Sequence, residues 1–266
     1  MLGNISGEGF EQWVYDQIKI RQKVYGSVNR SPEQLTYLNG RTSWVRLISS
    51  VNFSNGPYYK NNEGTKKLQD IGLDGSSYIG DTLARQFVLF AGASKNGNLR
   101  SGINFDENPS LNKTFNNAYG IGGNEFGIQP MPTLGDVEIK HRNRGSLKES
   151  NLTIKCFNKK QFEIIESLYL RLGYTVLLEW GNSCYFDNSG VFQNDNPTSL
   201  ENYMFDNTKV QDGHFALLSE ISKRREEASG NYDAIYAKVS NYSWTFENGV
   251  YNISVKLMSL GDIVES

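Results

Sequence analysis

Residues 134–181 read LGDVEIKHRNRGSLKESNLTIKCFNKKQFEIIESLYLRLGYTVLLEWG. At the start of this stretch Val137, Ile139 and His141 alternate with Asp136, Glu138 and Lys140, the period-two pattern of a half-buried strand. The polar run Asn143-Arg144-Gly145-Ser146 predicts a turn, because such residues tolerate turn backbone. Beyond it Leu152, Ile154 and Cys156 alternate with Asn151, Thr153 and Lys155, which predicts a second strand antiparallel to the first. The period then changes. Phe162, Ile165, Tyr169 and Leu172 recur at spacings of three and four, so a helix with one apolar face is expected. Gly173 is expected to end it, since glycine takes left-handed backbone at little cost. Tyr174, Val176, Leu178 and Trp180 then alternate with Thr175, Leu177 and Glu179, and Gly181 closes the unit. The order strand, hairpin, strand, helix, strand describes a scaffold in which the helix covers one face of a sheet.

On the N-terminal side, Phe10, Trp13, Val14, Ile18 and Val24 lie near helical spacing among charged residues, predicting an amphipathic helix over 8–25. Ser31 as cap and Pro32 as first helical residue predict a short helix through Tyr37. Residues 43–53 and 83–93 read as strands. Turn residues fill 54–82, and 94–133 is rich in Asn and Gly. Loops of such length in a compact domain carry contacts or gain order in an assembly.

On the C-terminal side, 182–211 reads as another long loop. Asp212 is expected to cap a helix running to Ser229, with Phe215, Leu218 and Ile221 on its apolar face and Gly230 at its end. The run Lys223-Arg224-Arg225-Glu226-Glu227 reads as a solvated helical face. Strands from Tyr236 to Phe246 and from Val250 to Ser259 flank Asn248-Gly249, a pair suited to the positive φ angles of a type I′ hairpin. Tyr242, Trp244 and Phe246 share one face; Tyr251, Ile253, Val255 and Leu257 are expected to share another. The fold class is therefore α+β and mainly antiparallel, with a flanking helix and long loop insertions. Two parts are expected: 1–133, a helix with strands and Asn/Gly-rich loops, and 134–266, a β domain with an insertion at 182–235.

Composition narrows the functional classes. The 266 residues are 38% hydrophobic and 21% charged, enough to build a core. A net charge of −2 argues against a nucleic-acid binder that relies on a basic surface. The apolar runs are shorter than the roughly 20 residues of a membrane span, and the start MLGNISGEGF has no signal-peptide pattern. Synthesis in the cytosol with unpaired thiols is the expectation for Cys156 and Cys184. The chain stops directly after a strand, at Gly261-Asp262-Ile263-Val264-Glu265-Ser266, so a longer product is expected.

Candidate chemistry is sparse. His141 and His214 are far apart in sequence and have no His or Cys at ligand spacing, which speaks against zinc. Cys156 or Cys184 could pair with His141 as a nucleophile, but no local motif accompanies them. Gly120-Ile121-Gly122-Gly123-Asn124-Glu125-Phe126-Gly127 lacks phosphate-loop spacing. Asp187-Asn188-Ser189-Gly190 and Asp195-Asn196 lack the glycine and glutamate of a calcium loop. No catalytic, cofactor-binding or metal-binding residue is assigned, and no cofactor is expected.

The phrases QPMP (129–132), RGSLKESNLTIK (144–155), LYLRLGYTVLLEWGN (168–182) and VSNYSWTFENGVYNISVKLMSLGDIVES (239–266) resemble the baseplate hub and tail-tube proteins of contractile-tailed phages. The resemblance covers about half of the chain, from Gln129 onward. It implies a tube-type β-barrel domain and a structural, non-catalytic role at the baseplate hub or tube-initiating ring. It also implies a virion location after assembly in the host cytoplasm. Partners would be further copies in a symmetric ring and other tail proteins, with phage DNA passing through the lumen without specific binding. A receptor- or carbohydrate-binding tail module is the alternative, and a cell-wall hydrolase is the third reading.

Overall fold

The computed structural model describes residues 11–51, 84, 88–92, 132–142, 147–194, 200, 202–205 and 213–259. It is an α+β structure whose mostly antiparallel strands form a curled, half-barrel sheet. The helices are α1 (Gln12–Gly26), α2 (Pro32–Asn39), α3 (Lys159–Tyr169), the single turn α4 (Asn202–Phe205) and α5 (Gly213–Glu227). The strands are β1 (Ser43–Ser49), β2 (Leu89–Gly92), β3 (Thr133–Arg142), β4 (Leu147–Cys156), β5 (Thr175–Asn182), β6 (Tyr185–Phe186), β7 (Phe192–Gln193), β8 (Tyr232–Glu247) and β9 (Val250–Ser259). The main sheet has seven strands in the order β2-β1-β5-β8-β9-β4-β3, while β6 and β7 form a separate small hairpin. Strands from both sides of residue 133 share the main sheet, since β1 pairs with β5 along its whole length.

Irregularities in the ladders occur between Leu134 and Val137 in β3 and between Val239 and Asn241 in β8. An extra residue on one strand bends it and sharpens its twist, which curls the sheet. The outermost strands β2 and β3 approach each other without pairing along a ladder among the described residues.

Each face of the sheet has a different cover. Leu47, Ser49, Val176, Leu178, Ile235, Ala237, Val239, Val255, Leu257, Leu152 and Ile154 line the inner face by their cross-strand register. Helix α3 lies in this hollow: Ser49 Oγ donates to the Leu168 carbonyl at 2.6 Å and Tyr169 OH to the Leu47 carbonyl at 3.2 Å. Its buried apolar residues are Phe162, Ile164, Ile165, Leu168 and Tyr169, and Gln161 is buried with them. The Asn158 side chain accepts from Gln161 N and starts the helix. On the outer face, Trp44, Arg46, Ile48, Leu177, Glu179 and Tyr232 are buried beneath the segment that joins β5 to β8. The outer face of β9, β4 and β3 stays open, with Lys155, Ser254 and Lys256 exposed.

Several expectations change in detail. Helix α3 ends at Tyr169, not at Gly173, and Leu172 is 67% exposed. Gly173 instead takes φ +84 in the turn before β5 and donates to the Val239 carbonyl. The alternation in β5 does not separate buried from open, because Leu177 and Glu179 are as buried as Val176 and Leu178. Among the described residues of 83–93, Leu89–Gly92 form a strand and Ala84 is helical. Strand β1 stops at Ser49. In α5, Leu217 and Ile221 point inward while Phe215 is exposed. The expected loop 182–211 contains β6, β7 and α4. Strand β8 begins at Tyr232, four residues before the expected start. Trp244 lies opposite Ile253 and Phe246 opposite Tyr251, so all four share one face.

Other expectations hold. Ser31 and Gln34 form a reciprocal capping box with Pro32 behind the cap. Gly230 takes φ +73 and donates to the Arg225 carbonyl at the end of α5. Asn248 and Gly249 have φ of 54 and 78 at the β8–β9 turn. Helix α1 packs within its own chain: Val24 joins Tyr37 and Phe186 in a small second core, and Gln17 Nε2 donates to the Phe186 carbonyl. Phe10, Asp212, the turn at 143–146, the loops at 54–82 and 94–131, the glycine run at 120–127 and Asp195-Asn196 lie outside the described residues.

Candidate functional site

Strand β8 is 16 residues long, and its distal part, from Asn241 to Glu247, runs past the end of β5 as an arm paired with β9, which β4 backs from Tyr251 onward. Asn241 and Ser243–Glu247 are exposed, and Tyr242 is half-buried. The Asn248-Gly249 turn closes the arm, because both residues accept positive φ. On its inner face the arm carries an aromatic cluster rooted in α3. Phe162 stacks on Tyr251 with centroids 4.6 Å apart and meets Trp244 edge-on at 5.0 Å. Phe246 lies 4.7 Å from the Tyr251 ring. One side of this cluster remains open: Trp244 is 49% and Phe246 56% exposed. Contiguous exposed aromatic surface is the kind that protein contacts cover.

The other face of the same strands is polar. Asp136, Thr153, Lys155, Ser243, Thr245, Asn252 and Ser254 line a shallow depression of ≈ 300 Å³, with Trp244 at its border. Thr153 Oγ1 accepts from the Asp136 amide at 2.9 Å, which holds the β3 bulge against β4.

Beneath the joining segment lies a buried charged cluster that alternation in the sequence does not single out. Arg46 Nε donates to Glu179 Oε2 at 2.8 Å, with both side chains out of water. Glu179 Oε1 accepts from Tyr232 OH at 2.8 Å and from the Leu200 amide at 3.0 Å. The Arg46 guanidinium lies over the Trp44 ring at 5.1 Å. Burial, and then the neighbouring Glu179 carboxylate, push the Tyr232 hydroxyl well above its ordinary value. Both carboxylate oxygens are taken, and the cluster ties β1, β5, β8 and the joining segment together. The signal in the sequence was the uninterrupted apolar run Val176-Leu177-Leu178, which marks a strand covered on both faces.

The sequence candidates for chemistry stay apart. His141 is exposed on β3, and His214 lies in α5. Cys156 and Cys184 are both buried free thiols. Burial pushes the Cys156 thiol up to about 12 and raises that of Cys184, the reverse of what an activated nucleophile requires. Asp187 accepts from the Ser189 and Val191 amides, the Ser189 hydroxyl and Gln193 Nε2. Its carboxylate therefore shapes the β6–β7 turn, and its carboxyl is held below the ordinary carboxylate range: burial opposes that shift, and the donated hydrogen bonds outweigh it. Among the described residues no group of three or more His, Cys, Asp or Glu could hold a metal ion, and no helix is long and apolar enough to cross a membrane.

Comparison with protein-family models, with curated proteins and with solved structures finds no match to this chain.

Proposed function

We propose that the chain is a structural component of a contractile phage tail, at the baseplate hub or tube-initiating ring, and that it works through intersubunit contacts. The observation that carries this reading is the β8–β9 arm, whose Trp244 and Phe246 stay exposed on a rigid base formed by α3. An arm of this kind reaches a neighbour while the core that anchors it stays closed. The curled sheet supports a tube-type domain, because several half-barrels joined side by side enclose a lumen. The resemblance of the phrases at 144–155, 168–182 and 239–266 to tail proteins supplies the remaining support. The decisive comparison is the size distribution of the purified chain against Trp244→Ser with Phe246→Ser. Rings in the parent and smaller, still folded species in the variant are expected, with circular dichroism as the check on folding. A parent that stays a single copy under all assembly conditions removes the reading.

A second reading has its own observation. The polar depression at Asp136, Thr153, Lys155 and Asn252 lies beside Trp244, and hydroxyls next to an aromatic ring suit a sugar. Glycan-array binding lost in Asn252→Ala would favour a carbohydrate-binding tail module.

A further inference from the structure

Strand β3 is an edge strand, and no described strand pairs with its outer side. Long open edges are usually blunted or used for pairing. Residues 138, 140, 141 and 142 of this strand are exposed, and Val137 and Ile139 are half-buried. On the outer face the charges run in order: Asp136, Glu138, Lys140, Arg142. Their shared face follows from the ladder, in which Glu138 lies opposite Asn151 and Lys140 opposite Glu149, and from Asp136 lining the outer depression with Thr153 and Lys155.

We infer that β3 pairs antiparallel with β3 of a second copy, with the two-fold axis at Ile139. A two-fold axis normal to the sheet keeps outer face beside outer face, so the allowed registers differ in steps of two residues. With Ile139 opposite its own copy, Asp136 faces Arg142 and Glu138 faces Lys140, each twice. Val137 meets His141 on the inner face. A step in one direction sets Glu138 against Glu138, and a step in the other sets Lys140 against Lys140. Like charges directly opposite are destabilising and opposite charges favourable, so the charge order selects one register. The present partners yield readily: Lys140 Nζ lies 3.0 Å from Glu138 and Arg142 3.4 Å from Glu149 in surface pairs, which are worth little. The occupant is a second copy because the strand complements itself; an isologous contact of this kind closes as a pair. This inference does not rest on the tail reading. A chain that stops at the dimer supports the pairing and removes the ring.

Charge reversal tests it. Glu138→Lys alone, and Lys140→Glu alone, should each weaken self-association about tenfold in sedimentation velocity, since each creates two like-charge pairs. The double variant Glu138→Lys with Lys140→Glu restores complementarity and should associate as the parent does. Mixing the two single variants should give heterodimers, because one then carries only positive charge at these positions and the other only negative. Ile139→Cys should form an interchain disulfide on mild oxidation, since the axis sets the two residues about 4.5–5.5 Å apart between Cα atoms. Glu138 and Lys140 are exposed and Ile139 is half-buried, so circular dichroism serves to confirm folding of each variant. A parent that remains monomeric, a double variant no better than the singles, or a dimer that Ile139→Cys fails to cross-link would each overturn the inference.

Discussion

Arg46 and Glu179 share a site without water, and the fold depends on their staying together. The pair costs desolvation that the Tyr232 hydroxyl and the Leu200 amide help to offset. Removing one partner leaves a buried charge unpaired. Arg46→Ala or Glu179→Ala should each cost about 3–5 kcal/mol in urea unfolding. Arg46→Met combined with Glu179→Leu should cost less than either single change; simple additivity would show that the charges act independently. Neither residue announced itself in the sequence: alternation put Glu179 on the side of β5 that carries Thr175, and in β1 Trp44, Arg46 and Ile48 alternate with Val45 and Leu47, which singles out no face. Only the covering segment, which reaches Leu200 through folding, makes that face an interior. Cys156 was easier to read, since its place between apolar strand residues already implied burial. Its folded value of about 12 exceeds the ordinary 9.0. Below 9.0 the thiol is neutral in both states and its contribution is complete. As pH rises from 9.0 toward about 12 the unfolded chain ionises first, so stability falls. The fall should be smaller in Cys156→Ala, and a thiol reagent at neutral pH should modify Cys156 only after denaturation. Rapid labelling of the folded chain would contradict its burial.

Among the elements, α3 and the β8–β9 hairpin are the two whose character the sequence carries most openly. The three-and-four spacing of α3 places Leu168 fully inside the hollow of the sheet. Leu168→Ala should therefore cost about 2–5 kcal/mol, and an unchanged melting temperature would mean that this side chain is not in the core. The end of α3 was less legible. Gly173 is a left-handed residue as expected, but it serves the turn into β5 after the helix has already stopped at Tyr169. At the hairpin, Gly249 has φ +78 with open space around its Cα. Gly249→Val meets no clash there, only backbone strain, and should cost about 1–3 kcal/mol and loosen the arm; amide exchange across β8 and β9 measures this. Gly181 has a different reason to be glycine, because a Cβ would run into the Trp44 ring and the Asn231 carbonyl. That contact joins residues far apart in the chain and leaves no local trace. The same holds for β1, which joins the main sheet by pairing with β5, and for β2, which joins it through β1.

At the scale of the whole molecule, a curled sheet has its hollow filled by α3 and half of its outer face covered by the segment between β5 and β8. Among the described residues the β3 edge, the polar depression and the aromatic arm stay open. The buried Cys156 and Tyr232, whose acidity is shifted, lie inside. The period-two and helical patterns made the α+β class readable. The half-barrel curvature was not readable, because it depends on two bulges and on long-range register. The arm's exposure was hidden for a related reason: cross-strand pairing puts Trp244 and Phe246 on the core-facing side of the sheet, but beyond the end of the core. The central claim is that this chain works by assembling. Electron micrographs of the purified full-length chain, sorted by rotational symmetry, test it most directly. Closed rings with a central opening are expected, lost on Trp244→Ser with Phe246→Ser. A field of single-copy particles, unchanged by those substitutions, would contradict it.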